Sequence, residues 1–339
     1  MPLAGLRRLP AHREGSRRTI TGEGHGEVRR HHLTEEISMN QRRFYGVVPP
    51  TITALDADEG LDRAGMARLV EYQIQGGVNG IFVLGTNGEG PCLRDAVRQA
   101  ACEVAVETAR GRVPVIAGVL QPSTARIIDD VKLLECTGIA AVVATTPYYF
   151  GGSNDEELVG HYRRIADATD LPILVYNIPQ NTKVPVKASA VLKIAEDPRI
   201  AGIKDSSGDW TEVQRLILER PREDFVILQG NQQMAAISLV LGADGLVPGF
   251  ANVHPRLMAD LYAAAARGAA DEAFAIQKQV DAFLRIRGRA TLHGTKVLAA
   301  HLGLIEPHLT APLPRMNPDE AQRYLDACLA AGFPAHVTV

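Results

Sequence analysis

Lys204 ends a short apolar run, Ile200-Ala201-Gly202-Ile203, and its placement gives it the most chemistry to offer of any residue in the chain. A lysine at the end of a buried strand projects into the mouth of a sheet or barrel rather than into bulk water. Desolvation there disfavours the ammonium form and leaves free amine to attack a carbonyl. The same position also suits a structural lysine that snorkels, or that pairs with Asp205 or Asp209. Tyr176 closes a second apolar run, residues 173–176, and offers a phenol that can exchange protons with a bound substrate. As a core tyrosine it would only satisfy its hydroxyl. Residues 85–90, Gly85-Thr86-Asn87-Gly88-Glu89-Gly90, supply closely spaced backbone N–H groups and the Thr86 hydroxyl, which suit a carboxylate. A glycine loop often makes no more than a tight turn, and this one lacks the Lys-Ser/Thr of a phosphate-binding loop.

These residues need a scaffold that brings strand ends together. Short, nearly uniformly apolar runs recur at residues 47–51, 81–84, 115–119, 140–144, 173–176, 200–203, 225–228 and 245–247, as in parallel strands buried on both faces. Between them lie amphipathic stretches, 61–75, 93–109, 125–135, 156–169, 186–195, 212–218 and 233–241, whose apolar residues recur at helical spacing. Gly76-Gly77, Gly111, Gly138 and Gly242 follow four of these helices and can each take a left-handed cap. Pro114 and Pro172 precede strands, where a missing N–H is tolerated. Strict alternation predicts an α/β fold, a (β/α)8 TIM barrel with a C-terminal α-helical extension; an open doubly wound sheet has the same periodicity. After the last strand the pattern is helical only, at 255–267, 270–288, 296–302 and 318–331, which suits a cap or an oligomerisation layer. The expected organisation is a disordered extension at 1–43, the barrel at 44–254 and a helical region at 255–339.

Composition narrows the function. A net charge of -3 gives no broad attraction for nucleic acid or anionic membranes, so no such partner is expected. No stretch approaches the roughly 18 to 20 apolar residues that span a bilayer. Cys92, Cys102, Cys136 and Cys328 are scattered with no C-x-x-C pair, which predicts free, mostly buried thiols, no metal site and a cytoplasmic location. The first 43 residues are rich in arginine, with no aromatic before Phe44 and no apolar segment of the kind a signal peptide needs. Ordered-looking sequence begins just after Met39, which is the expected start.

The motifs together resemble the superfamily of dihydrodipicolinate synthase and N-acetylneuraminate lyase, the class I pyruvate aldolases. The resemblance rests on a G-x-x-G-E loop at Gly85-Thr86-Asn87-Gly88-Glu89 and a P-Y-Y element at Pro147-Tyr148-Tyr149. It rests further on Y-N-x-P at Tyr176-Asn177-Ile178-Pro179 and G-I-K-D at Gly202-Ile203-Lys204-Asp205, and it runs from about Phe44 to the C-terminal helices. The interval 204 − 176 = 28 also matches the family's. The resemblance implies that Lys204 forms a Schiff base with pyruvate or another 2-oxo acid. It implies that Thr86 and the Asn87 N–H hold the carboxylate, that Tyr176 shuttles the proton, and that Thr86 links it to Tyr149 from a neighbouring subunit. Gly230 and Val247 match positions lining the pyruvate pocket. Ser206 matches a position near the substrate's C4 oxygen. The imine is its own electron sink, so no cofactor is implied, and the assembly expected is a homotetramer, a dimer of dimers.

Two positions depart from the synthases: Asn87 follows Thr86 where a second threonine is usual, and Asn181 replaces the arginine expected to clamp the carboxylate of aspartate semialdehyde. An amide cannot form that bidentate charged pair. The expected function is therefore a lyase, an aldolase or dehydratase, acting on a 2-oxo-3-deoxy sugar acid or 4-hydroxy-2-oxoglutarate, with Asn181 and Ser206 contacting substrate. Synthesis of 4-hydroxy-tetrahydrodipicolinate, a barrel that only binds a 2-oxo acid, and a pyridoxal-phosphate enzyme are the alternatives.

Overall fold

Eight parallel strands pair in the order β1-β8-β7-β6-β5-β4-β3-β2. They are β1 (Gly46–Val47), β2 (Ile81–Val83), β3 (Val115–Val119), β4 (Ala141–Thr145), β5 (Ile173–Asn177), β6 (Ile200–Asp205), β7 (Val226–Gln229) and β8 (Gly245–Leu246). This computed structural model describes residues 44–150, 154–287 and 291–335. The expected disorder of 1–43 and the start at Met39 therefore lie outside the described residues. The ends of the order meet: Asn79 N–H donates to Val47 O at 2.7 Å, Phe82 N–H to Pro49 O at 3.0 Å and Thr51 N–H to Phe82 O at 2.8 Å. Pro50 and Phe82 form a parallel bridge at this seam, so the sheet closes on itself and the open alternative is excluded. The prolines explain why β1 is shorter than the expected 47–51: Pro49 and Pro50 have no N–H to give the ladder.

Strand alternation sorts side chains into two layers. Phe82, Ile116, Val143, Leu174, Tyr176, Val226 and Leu228 fill the barrel interior. Their neighbours Ile81, Val115, Val142, Ile173, Val175, Ile203 and Ile227 face outward into the core shared with the helices. The helices alternate with the strands: α1 (Arg63–Gln75), α2 (Asp95–Ala109), α3 (Thr124–Leu134), α4 (Asp155–Ala166), α5 (Ala188–Ile194), α6 (Trp210–Leu218), α7 (Ala235–Leu241) and α8 (Pro255–Ala266). Side-chain caps start several of them. Asp62 accepts from Gly65 N–H, Asn154 forms a reciprocal pair with Glu157, and Asp209 accepts from Thr211 and Glu212.

The expected glycine caps hold at Gly77, Gly111, Gly138 and Gly242, all at positive φ, but not at Gly76. Gly76 is right-handed, and it is small because a Cβ would lie 2.4 Å from the Pro255 ring. The second helix ends on a non-glycine, Arg110 at φ 50°, one residue before Gly111.

Three further helices follow: α9 (Ala270–Arg287), α10 (Thr291–His301) and α11 (Pro318–Ala330). α9 packs against α7, α8 and α11. Phe250, at the foot of the β8 loop, stacks on Phe283 of α9 at 5.0 Å, which seats the extension on the barrel. The thiols are free, yet only Cys102 and Cys328 are buried. Cys92 and Cys136 fall in one-turn helical segments at the surface, a placement that local periodicity does not reveal. No helix among the described residues is long and apolar enough to cross a membrane.

Candidate active site

The C-terminal ends of the strands open on a cavity of about 320 Å³ lined by Thr86, Asn87, Tyr176, Lys204, Ser206, Gly230 and Val247 together with Ile178, Gln180, Asn231, Gln232 and Gly249. Lys204 reaches it because β6 is longer than its apolar run. The strand continues through Lys204 and Asp205, which pair with Tyr176 and Asn177 of β5. Side chains alternate, so Lys204 and Tyr176 point inward side by side while Asp205 points out. Asp205 is committed elsewhere: Oδ2 accepts from Asn177 Nδ2 at 2.6 Å, and Oδ1 from the Ser207 N–H at 2.9 Å and its hydroxyl at 2.6 Å. The surface pairing open to Lys204 at the sequence level is thus not formed with Asp205.

Lys204 is 4% exposed, and its Nζ lies 3.8 Å from the Tyr176 ring centroid and 4.7 Å from that of Phe82. Burial pushes its ammonium below the ordinary lysine pKa, and Tyr176 opposes the shift. Phe82 meets Tyr176 edge to face with centroids 6.3 Å apart, which fixes the phenol plane. The Tyr176 hydroxyl lies 3.2 Å from Thr86 Oγ1, and either oxygen can be the donor. Tyr176 therefore stands between the Lys204 amine, which lies over its ring, and the Thr86 hydroxyl, which meets its own.

The loop carrying Thr86 is tightly held. Leu84 and Glu89, on either side of it, both take left-handed backbone at φ 58°. Thr53 Oγ1–H donates to Gly88 O at 2.6 Å, and a Cβ at Gly90 would lie 2.0 Å from Leu84 O. Opposite, Gly230 packs closely on the β6 end: a Cβ there would lie 2.9 Å from the backbone Asp205 O and would displace the Ser206 hydroxyl. Gln180 joins the β5 and β6 loops: its Nε2 donates to Ser206 O at 2.8 Å and to Ser207 O at 2.9 Å.

Two of the residues singled out in the sequence lie elsewhere. Asn181 is on the wall of a second cavity, of about 330 Å³, which shares only Thr86 and Ile178 with the first. Tyr149 is 86% exposed at φ 78°, stacked edge to face on Phe150 at 5.1 Å and apart from Thr86 in its own chain. Sequence reasoning missed Gln180, Asn231 and Gln232. Their one signal was position just past the ends of β5 and β7. Among the described lining residues Lys204 is the only charged side chain, and no group of three or more His, Cys, Asp or Glu could hold a metal ion among the described residues.

Residues 43–331 match the dihydrodipicolinate synthetase family. A 4-hydroxy-tetrahydrodipicolinate synthase of Phenylobacterium zucineum is 36% identical over 296 residues, covering 86% of this chain and 98% of its own. The crystal structure of dihydrodipicolinate synthase from Thermotoga maritima superposes with a TM-score of 0.82 at 30% identity, over 86% of this chain and 100% of that one. The chloride-inhibited dihydrodipicolinate synthase of Acinetobacter baumannii, complexed with pyruvate, gives 0.79 at 28% identity over 86% and 100%.

Proposed function

The chain belongs to the dihydrodipicolinate synthetase family and is a lyase, and we propose that it works by a Schiff base between Lys204 and a 2-oxo acid. The observation that carries this is the register pair Tyr176 and Lys204 on adjacent strands, with a desolvated amine 3.8 Å from the phenol ring. A free amine attacks the C2 carbonyl, water leaves, and the iminium draws electrons from C3. In a 4-hydroxy substrate the C4 hydroxyl gives up its proton, the C3–C4 bond breaks, and the pair is held as an enamine while an aldehyde departs. Protonation at C3 and hydrolysis then release pyruvate and restore the amine. Tyr176, paired with Thr86, is placed to carry those protons. Thr86 and Asn87 hold the carboxylate, Gly230 and Val247 wall the pyruvate half, and no cofactor is required.

Substrate choice follows from charge. Beyond Lys204 the cavity offers Asn87, Gln180, Ser206, Asn231 and Gln232, all neutral donors and acceptors. These suit the hydroxyls of a 2-oxo-3-deoxy sugar acid better than a second carboxylate, with 4-hydroxy-2-oxoglutarate next. The synthase reaction is the second reading, favoured by the names of the relatives. Asn181 opposes it: it stands where the resemblance places the arginine expected to clamp the aldehyde's carboxylate, and an amide forms no bidentate charged pair. Coupled detection of pyruvate over a panel of 2-oxo acids tests the choice, with sugar-acid cleavage expected to lead. A higher kcat/KM for condensing pyruvate with aspartate semialdehyde overturns it. Substrate consumed with its carbon chain intact identifies a dehydratase.

A further inference from the structure

The G-x-x-G-E loop ends in a carboxylate that the chemistry above does not use. Glu89 is buried against the C-terminal extension, where Oε1 lies 2.5 Å from Lys296 Nζ of α10, both side chains being 0% exposed. Its Oε2 accepts from the Thr310 N–H at 2.7 Å and from the Thr310 hydroxyl at 2.8 Å. Lys296 also donates to His308 O at 2.5 Å. One acid from the barrel and one base from the extension are thus fully withdrawn from water. A stability role alone gives little reason for such a pair, since apolar residues commonly fill such space as well or better.

Position supplies the reason. Glu89 stands three residues from Thr86, its own N–H donates to Thr86 O at 3.2 Å, and its backbone is left-handed. Any movement of its carboxylate turns the loop that presents Thr86 and Asn87 to the Lys204 cavity. We infer that Glu89 and Lys296 are positioning residues, a buried clamp by which the C-terminal helices hold the carboxylate-binding loop in register with Lys204. This rests on the proposed binding of a 2-oxo acid at Lys204.

The test is the pyruvate concentration giving half-maximal borohydride trapping at Lys204, measured by intact mass on the full-length protein. It is run on wild type, Lys296→Met, Lys296→Arg and the double variant Glu89→Gln with Lys296→Met, whose neutral pair keeps the core fillable if the single change unfolds it. Small displacements of a binding group commonly cost up to about a hundredfold, so half-saturation is expected to rise about 10- to 100-fold in the folded Met variants. Lys296→Arg, which keeps the charge, is expected to recover part of it. A merely structural pair would lower the melting temperature and the trappable fraction with half-saturation unchanged, and that result overturns the clamp. Absence of any adduct in wild type sinks the Schiff-base reading, and the clamp with it.

Discussion

The Lys204 amine is held among rings rather than beside a carboxylate, with Phe82 and Tyr176 within 4.7 and 3.8 Å of Nζ. An aromatic face attracts the ammonium weakly compared with an anion, so desolvation dominates and the free amine is favoured below the ordinary lysine pKa of 10.5. The sign follows: imine formation with pyruvate is expected to rise with pH and level off below that value. A midpoint near 10.5, read from trapping rates across pH, contradicts it. Tyr176→Phe removes the phenol hydroxyl and its contact with Thr86 while leaving the ring beside the amine. Turnover is expected to fall about a hundredfold to ten-thousandfold, with trapping preserved. These residues were legible because strand ends were legible. Asn181 was less so: its place in the chain identifies the family position, but the single turn Pro179–Thr182 carries it to another cavity wall than that of Lys204.

Seven of the eight strands were read to within two residues, while β1 was read four residues too long across Pro49 and Pro50. The other misreadings fall where polar residues continue a strand or backbone turns out of one. β6 runs on through Lys204 and Asp205, whereas Leu84 leaves β2 in left-handed conformation. Polar side chains buried between elements were not legible at all. From α4, His161 Nε2 contacts Thr145 O at 3.1 Å and the Tyr162 hydroxyl donates to Ala144 O at 3.1 Å, anchoring the end of β4. Burial lowers the His161 pKa to about 4 from the ordinary 6.5, against the hydrogen bond to Thr145. The unfolded chain therefore binds the proton first on acidification. Stability from this group is whole above pH 6.5 and is lost as pH falls toward 4, about 3 kcal/mol in all. Denaturant titrations are expected to show that His161→Gln loses less stability over that interval than wild type; equal losses contradict it. Between α2 and α3, Arg98 makes a bidentate pair with Asp130, one bond being 2.8 Å, with both side chains buried. Asp130→Ala removes the buried partner and leaves the guanidinium only the exposed Asp95, 3.1 Å away, and is expected to lower stability by about 3 kcal/mol by the same titration. A loss under about 1 kcal/mol would mean that water reaches the pair.

For the whole molecule, alternation predicted a (β/α)8 barrel but could not separate it from an open sheet, because the separating contact is the seam at Pro50 and Phe82, where prolines interrupt any strand signal. The most exposed large apolar side chains among the described residues, Tyr149 and Phe150 at 86% and 94%, stand together after β4. Leaving that much aromatic surface in water is unfavourable, which fits the expectation that Tyr149 meets a neighbouring subunit. Sedimentation at micromolar concentration is expected to show an oligomer, and Tyr149→Phe to lower turnover about tenfold or more. A fully active monomer contradicts both.

The Schiff base at Lys204 is tested most directly by reducing the protein with borohydride in the presence of pyruvate and mapping the product by peptide mass. The expected result is loss of activity with a reduced pyruvyl group on the peptide containing Lys204, absent from Lys204→Ala. No adduct on the active protein, or an adduct that persists in Lys204→Ala, would contradict it.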